Sequence, residues 1–159
     1  MGVRRIAAWG IALAGLVALA GCTLPGYVRD PSPWVADTDW SQAEPVRLSM
    51  GEYRFSPEVL TFEAGKPYAL RIDNTGQEPH VFGAGKFFRA VATRAAQVPD
   101  AAAFRAPYFT GLEVFPGHSV ELYFVPVRPG TYELACTAPG HADQGMVGAL
   151  RIVRKAPAQ

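Results

Sequence analysis

From Val46 to Val153 the chain is a succession of short runs rich in β-branched and aromatic residues, each closed by a turn signal. The runs are VRLSM (46–50), EYRFS (52–56), VLTFEA (59–64), YALRID (68–73), HVFG (80–83), LEVF (112–115), VELYFVP (120–126), TYELAC (131–136) and MVGALRIV (146–153). Punctuation falls at Ala64-Gly65-Lys66, Asn74-Thr75-Gly76, Phe115-Pro116-Gly117 and Arg128-Pro129-Gly130. Several runs alternate partly between apolar and polar, as in Val120-Glu121-Leu122-Tyr123-Phe124. Short strands at this spacing predict an all-β sandwich or barrel. One segment, 84–111, breaks the rhythm. Within it Phe87, Val91, Ala95 and Val98 recur at helical spacing, which predicts one short helix over about 86–97. An insertion of this length serves as a lid or docking surface, or plugs one edge of the sandwich.

The 159 residues are 49% apolar and 18% charged, enough for one domain with a real core and unlike a disordered composition. A formal charge of +1 argues against nucleic acid as the main partner.

The N-terminus reads differently from the rest. Arg4 and Arg5 precede an apolar run over 6–20 that is short for a membrane span and ends in small residues, as an export signal does. Leu19-Ala20-Gly21-Cys22 resembles the bacterial lipobox. That resemblance implies a lipoprotein signal peptide over 1–21 and a diacylglycerol on Cys22, which would tether the protein by lipid to the periplasmic side of a bacterial membrane, inner or outer. Residues 23–45 carry Pro25, Pro31, Pro33 and Pro45 without usable periodicity, so 22–45 reads as a lipidated start and flexible tether, followed by a domain over 46–154 and a tail over 155–159. Trp34 and Trp40 lie in that tether, either packed back on the domain or near the membrane interface.

The chain has two cysteines. With Cys22 acylated, Cys136 has no partner in the chain, and a lone thiol in an oxidising compartment calls for an occupant. Cys136, His141 and Met146 follow one another at five-residue intervals in LACTAPGHADQGM (134–146), where Gly140 and Gly145 allow tight turns. A thiolate, imidazoles and a weak thioether are what a mononuclear copper electron-transfer site requires. Of the two other histidines, His80 follows the stiff Pro79 at the start of an apolar strand, whereas His118, in FPGHSVEL, reads as a solvated turn residue. Zinc gains nothing from Met, and structural zinc sites use more thiolates. A cysteine nucleophile would need a base and an oxyanion feature, and none is apparent beyond His141.

Here the sequence resembles the cupredoxins, the blue type 1 copper proteins. CTAPGH (136–141) matches the Cys-Thr-x-Pro-Gly-His loop of azurin, and the gap from His141 to Met146 is like that of rusticyanin and plastocyanin. Pro79-His80 is plastocyanin-like, and FSPEVLTFEAGKPYALRIDNTGQEPH (55–80) is similar to the run before the first ligand in many bacterial cupredoxin domains. The resemblance implies a Greek-key cupredoxin β-sandwich binding one type 1 copper ion, with His80, Cys136 and His141 as equatorial ligands and Met146 axial. Val81 stands where many cupredoxins place an Asn or Ser that bonds toward the cysteine loop. The binuclear copper variant of the fold needs a second cysteine where Gly140 stands, and multicopper oxidases need His-x-His pairs that three histidines cannot supply. The implied function is an extracytoplasmic Cu(I)/Cu(II) electron carrier, not an enzyme, docking redox partners near His141 through an apolar patch of Ala138, Pro139 and Ala142. The alternatives are a copper carrier, buffer or delivery module with redox incidental, or a metal-free scaffold.

Overall fold

A computed structural model describes residues 26–156, apart from 29, 100–102 and 107. The expected signal peptide and Cys22 lie outside the described residues. Among the described residues eleven strands form two sheets: β1 (Glu44–Gly51), β2 (Arg54–Ser56), β3 (Val59–Glu63), β4 (Tyr68–Asn74), β5 (His80–Gly83), β6 (Val91–Gln97), β7 (Ala103–Phe104), β8 (Gly111–Val114), β9 (Ser119–Pro126), β10 (Gly130–Ala135) and β11 (Val147–Val153). One sheet runs β2-β1-β4-β9-β6-β7 and the other β3-β11-β10-β5-β8. Most neighbours are antiparallel, but β1 lies parallel to β4 and β3 parallel to β11.

Alternation explains why these segments are strands. Along β4, Tyr68, Leu70, Ile72 and Asn74 are buried while the residues between them are half-exposed. Leu48, Met50, Leu70, Ile72, Leu122 and Phe124 from one sheet meet Leu60, Phe62, Phe82, Leu134, Leu150 and Ile152 from the other. Each such side chain contributes roughly 1.5–3 kcal/mol by leaving water. Phe62 is the hub, with Tyr68, Phe124 and Phe87 rings at 5.0, 5.2 and 5.7 Å.

The insertion does contain a short helix, but it is a single turn, α2 (Gly85–Phe88), that buries Phe87 and Phe88. The stretch expected to continue it is instead β6, paired antiparallel with β9. A β-bulge between Thr93 and Ala95 is the reason. It leaves Arg94 without a partner residue and resets the alternation, so that Val91, Ala92, Ala95 and Ala96 are buried. Buried residues four apart imitate a helical period. The insertion therefore extends the first sheet with β6 and β7 and leads into β8 at the edge of the other.

Ahead of β1, a turn of helix α1 (Ser32–Val35) and a 3-10 turn (Trp40–Gln42) lie against the first sheet. Trp40 packs edge-on to Tyr123 at 6.2 Å under the Arg94 guanidinium, and its indole N–H donates to the Val35 carbonyl. Among the described residues no helix is long and apolar enough to cross a membrane.

The sandwich has two distinct ends. One gathers the turns around 51–53, 75–79, 115–118 and 136–146, cross-linked by Asn74 N–H to the His118 carbonyl, Thr75 N–H to the Met50 carbonyl and the Glu52 carboxylate to two amides of the 75–79 turn. The other gathers 64–67, 84–90, 126–130 and the end of β11, joined by Gly65 N–H to Pro126, Ala64 N–H to Val153 and Arg128 N–H to Ala90.

Candidate metal centre

Cys136 directly follows β10, and its N–H donates to the Met146 carbonyl at 3.0 Å, which ties the base of the 136–146 loop. Inside the loop, Met146 N–H donates to the His141 carbonyl at 3.0 Å, and Gly140 and Gly145 adopt φ of 78° and 99°. Both are left-handed conformations that a side chain would strain. On the adjacent strand, His80 opens β5 opposite Val114 of β8. β5 meets β10 at one register pair, Gly83 with Ala135, where an added methyl on Gly83 would lie 2.4 Å from the Ala135 carbonyl oxygen. A glycine is needed there to let the two strands, and so the two histidines, approach.

The fold brings His80, Cys136 and His141 together, with one donor atom from each within 4.8 Å of the others. His80 Nδ1 lies 3.2 Å from His141 Nδ1, and Cys136 Sγ lies 3.5 Å from His141 Nδ1. All three residues are buried, His141 the least so at 8% exposed, and Met146 is fully buried beside them in sequence and in the loop's hydrogen bonding. His118 stands apart, exposed, with its ring bonded to the Pro116 carbonyl. Cys136 is a free thiol.

The outward edges of both imidazoles face carboxylates. His141 Nε2 is 3.1 Å from Glu78 Oε2, and His80 Nε2 is 3.5 Å from Glu52 Oε1, too long for a good hydrogen bond. An Nε2 proton aimed at a carboxylate leaves the Nδ1 lone pair pointing inward, the arrangement by which proteins orient metal-binding histidines. Burial, reinforced by the neighbouring His141, pushes the His80 pKa below its ordinary value and so keeps it neutral. Amide bonds from Gln77 and Glu78 hold the Glu52 carboxyl below the usual range.

Separations of 3.2 and 3.5 Å would let one ion be reached by both imidazole nitrogens and the sulfur. Without an ion, three desolvated donors share at most their own protons. The donor set of thiolate, two imidazoles and thioether suits copper.

Three features were not visible in the sequence. Val81 carries no polar side chain, yet its backbone N–H donates to Cys136 Sγ at 3.3 Å, which supplies the bond toward the cysteine that an Asn or Ser side chain would otherwise make. Asn74, buried, donates to the carbonyls of Glu78 and Val114 and so braces the turn that delivers His80. The β1–β2 hairpin roofs the site: besides Glu52, it sets the Tyr53 ring edge-on to His141 at 4.9 Å. The His141 edge is therefore largely covered by Tyr53 and Glu78. A shallow depression beside it is lined by Pro79, Val81, Ala138 and Pro139, together with the polar Glu78, Glu113 and Thr137. Glu78, two residues before His80, was the one partner with a local cue.

No protein-family profile matches the chain. Over 106 residues it is 30% identical to the copper-resistant cuproprotein CopI of Rubrivivax gelatinosus, a match covering 65% of this chain and 62% of CopI. The chain thus spans less than two thirds of the length of that relative. Among solved structures, auracyanin of Roseiflexus castenholzii superposes with a TM-score of 0.50 at 22% identity, over 70% of this chain and 98% of auracyanin. The McoA multicopper oxidase of Aquifex aeolicus superposes with a TM-score of 0.54 at 17% identity, over 72% of this chain but 30% of the oxidase. The likeness is one of fold: this chain has the two-sheet β-sandwich fold of the cupredoxins.

Proposed function

We propose that the chain is a mononuclear type 1 copper protein that carries electrons outside the cytoplasm, in which His80, Cys136, His141 and Met146 would hold the ion. The observation that carries this reading is the convergence of His80 Nδ1, His141 Nδ1 and Cys136 Sγ in a buried pocket, with a carboxylate facing the far side of each imidazole. Bound copper would supply a one-electron couple. The protein's part is to hold the donors still in both oxidation states. Gly83 sets the spacing of the two strands, the Val81 amide fixes the thiol, and Asn74 locks the turn before His80. Cys136 lies at the junction of β10 and the loop, where its N–H closes the loop on the Met146 carbonyl. Partners would dock over the depression beside His141, the ring nearest the surface.

Titrating the apo-protein with Cu(II) tests the reading. An intense thiolate-to-copper band at one equivalent, bleached reversibly by a mild reductant, is the expected result. Absence of stoichiometric copper overturns it.

The second reading is copper delivery or buffering, favoured by the likeness to a copper-resistance protein. It predicts Cu(I) binding with ready release to a competing chelator and no stable coloured form. We read the chain as a non-enzyme. The multicopper oxidase matches cover about 30% of those chains, and three histidines do not furnish a second copper cluster.

A further inference from the structure

The two ends of the sandwich carry opposite charge. Around the metal pocket, Glu52, Glu58, Glu78, Glu113 and Asp143 are opposed by Arg54, while nearby Arg71 is already engaged by Asp73 and Glu121. At the other end Lys66, Lys86, Arg89, Arg128, Arg154 and Lys155 are all exposed. They are met there by Glu44, which pairs with Lys66, and by Glu63, while the exposed Asp30, Asp37 and Asp39 lie on the segment that leads from Gly26 to β1. Near-zero net charge thus conceals a strong axial asymmetry. Strands of seven and eight residues separate the ends by roughly 25 Å.

The chain enters at the basic end. Arg128 Nη1 donates to the Gly26 carbonyl at 2.5 Å and to the Arg89 carbonyl at 3.1 Å, and the Arg89 guanidinium lies over the Tyr27 ring at 5.5 Å. Only residues 21–25 separate Gly26 from the apolar run over 6–20. Fully extended, five residues reach at most about 18 Å. A membrane that held the apolar run, or a lipid on Cys22, would therefore keep the basic end within about two Debye lengths of its surface.

We propose that the basic end is a contact surface for anionic phospholipid headgroups, which stands the molecule upright with the metal pocket turned to the water. The inference rests on the membrane-attached reading of the N-terminus and is independent of whether copper binds. Each surface-near Lys or Arg adds to the attraction of an anionic leaflet, and the acidic end is repelled by it. An anchored domain free to tumble would present its pocket to the lipid part of the time; this one would not.

All three lysines of the chain lie at the basic end, which gives a direct test. The full-length protein is reconstituted into vesicles of phosphatidylcholine alone or doped with phosphatidylglycerol, and lysine acetylation is followed by mass spectrometry. Acetylation of Lys66, Lys86 and Lys155 is expected to slow about fivefold on the anionic vesicles and to recover in high salt. Carbodiimide labelling of Glu78, Glu113 and Asp143 should be unchanged. In the double variant Lys86→Glu, Arg154→Glu the protection of Lys66 and Lys155 should disappear. Equal lysine reactivity on floated vesicles of both compositions, or protection of the carboxylates instead, overturns the proposal. Failure of the chain to float with either vesicle overturns the membrane-attached reading and this proposal with it, while the copper titration stands or falls separately.

Discussion

His80 and His141 face each other Nδ1 to Nδ1 at 3.2 Å, each with its opposite nitrogen turned toward a glutamate. The pairing is built by residues 61 positions apart, one opening β5 and the other in the loop that follows β10. Two neutral imidazoles gain little from such an approach in a buried place, whereas an ion between them turns it into a bidentate grip. The predictions below follow from that geometry.

Cys136→Ser removes the sulfur while nearly preserving volume in a position that is 1% exposed. The variant should fold, as judged by circular dichroism, and lose the intense visible band altogether. Retention of the full spectrum would remove Cys136 from the ligand set.

Met146→Leu keeps an apolar side chain of similar size in a fully buried position. Copper should still bind, with the potential raised because the oxidised ion loses a weak donor. A tenfold relative loss of Cu(II) affinity corresponds to about 59 mV for a one-electron couple. Protein-film voltammetry reads the shift, and an unchanged or lowered potential contradicts the axial role.

Glu78→Gln and Glu52→Gln retain shape but remove the charge facing Nε2 of His141 and of His80. Outer partners of this kind typically contribute about 10–100-fold in metal affinity. Competition with a chelator should show a loss in that range, and nitrogen-15 NMR of the apo-protein should show the histidine tautomers losing their Nε2–H preference. Unaltered tautomers would make the carboxylates bystanders.

Gly83→Ala forces a methyl to within 2.4 Å of the Ala135 carbonyl and 2.9 Å of the Thr137 methyl. Overpacking of this kind costs about 1–3 kcal/mol. Chemical denaturation should register it, and the copper spectrum should broaden because β5 and β10 can no longer keep their spacing.

Acid should weaken the apo-domain in two steps. The folded state holds His80 below its ordinary pKa of 6.5, so the unfolded chain binds more protons and stability falls as pH drops below about 6.5. Glu52 is held below 4.5 in the folded state, so the stability it lends is present above that value and is lost as pH falls through its folded pKa. Urea midpoints against pH would show both, and His80→Gln should erase the upper step alone.

Much of this was legible from residue order. Nine strands were placed within a residue or two because their alternation and their Gly- and Pro-marked turns agree, as in β4 and β9. His80, Cys136 and His141 were legible because their chemistry is rare in this chain and their spacing is particular. β6 was misread as helix because a bulge at Thr93/Ala95 shifts its buried face by one residue, and a shifted period of two looks like a period near four. Glu52 and Tyr53 were invisible for a different reason. They reach the site only after a hairpin far from it in sequence folds over the top, and nothing local marks them.

That hairpin has a consequence for engineering. Grafting residues 136–146 onto another sandwich would transplant three donors but leave behind the roof that β1 and β2 place over them. A recipient lacking counterparts of Glu52 and Tyr53 should take up copper and still fail to reproduce the donor's electronic character. The transferable unit is the loop together with the opening hairpin, and a chimera needs both.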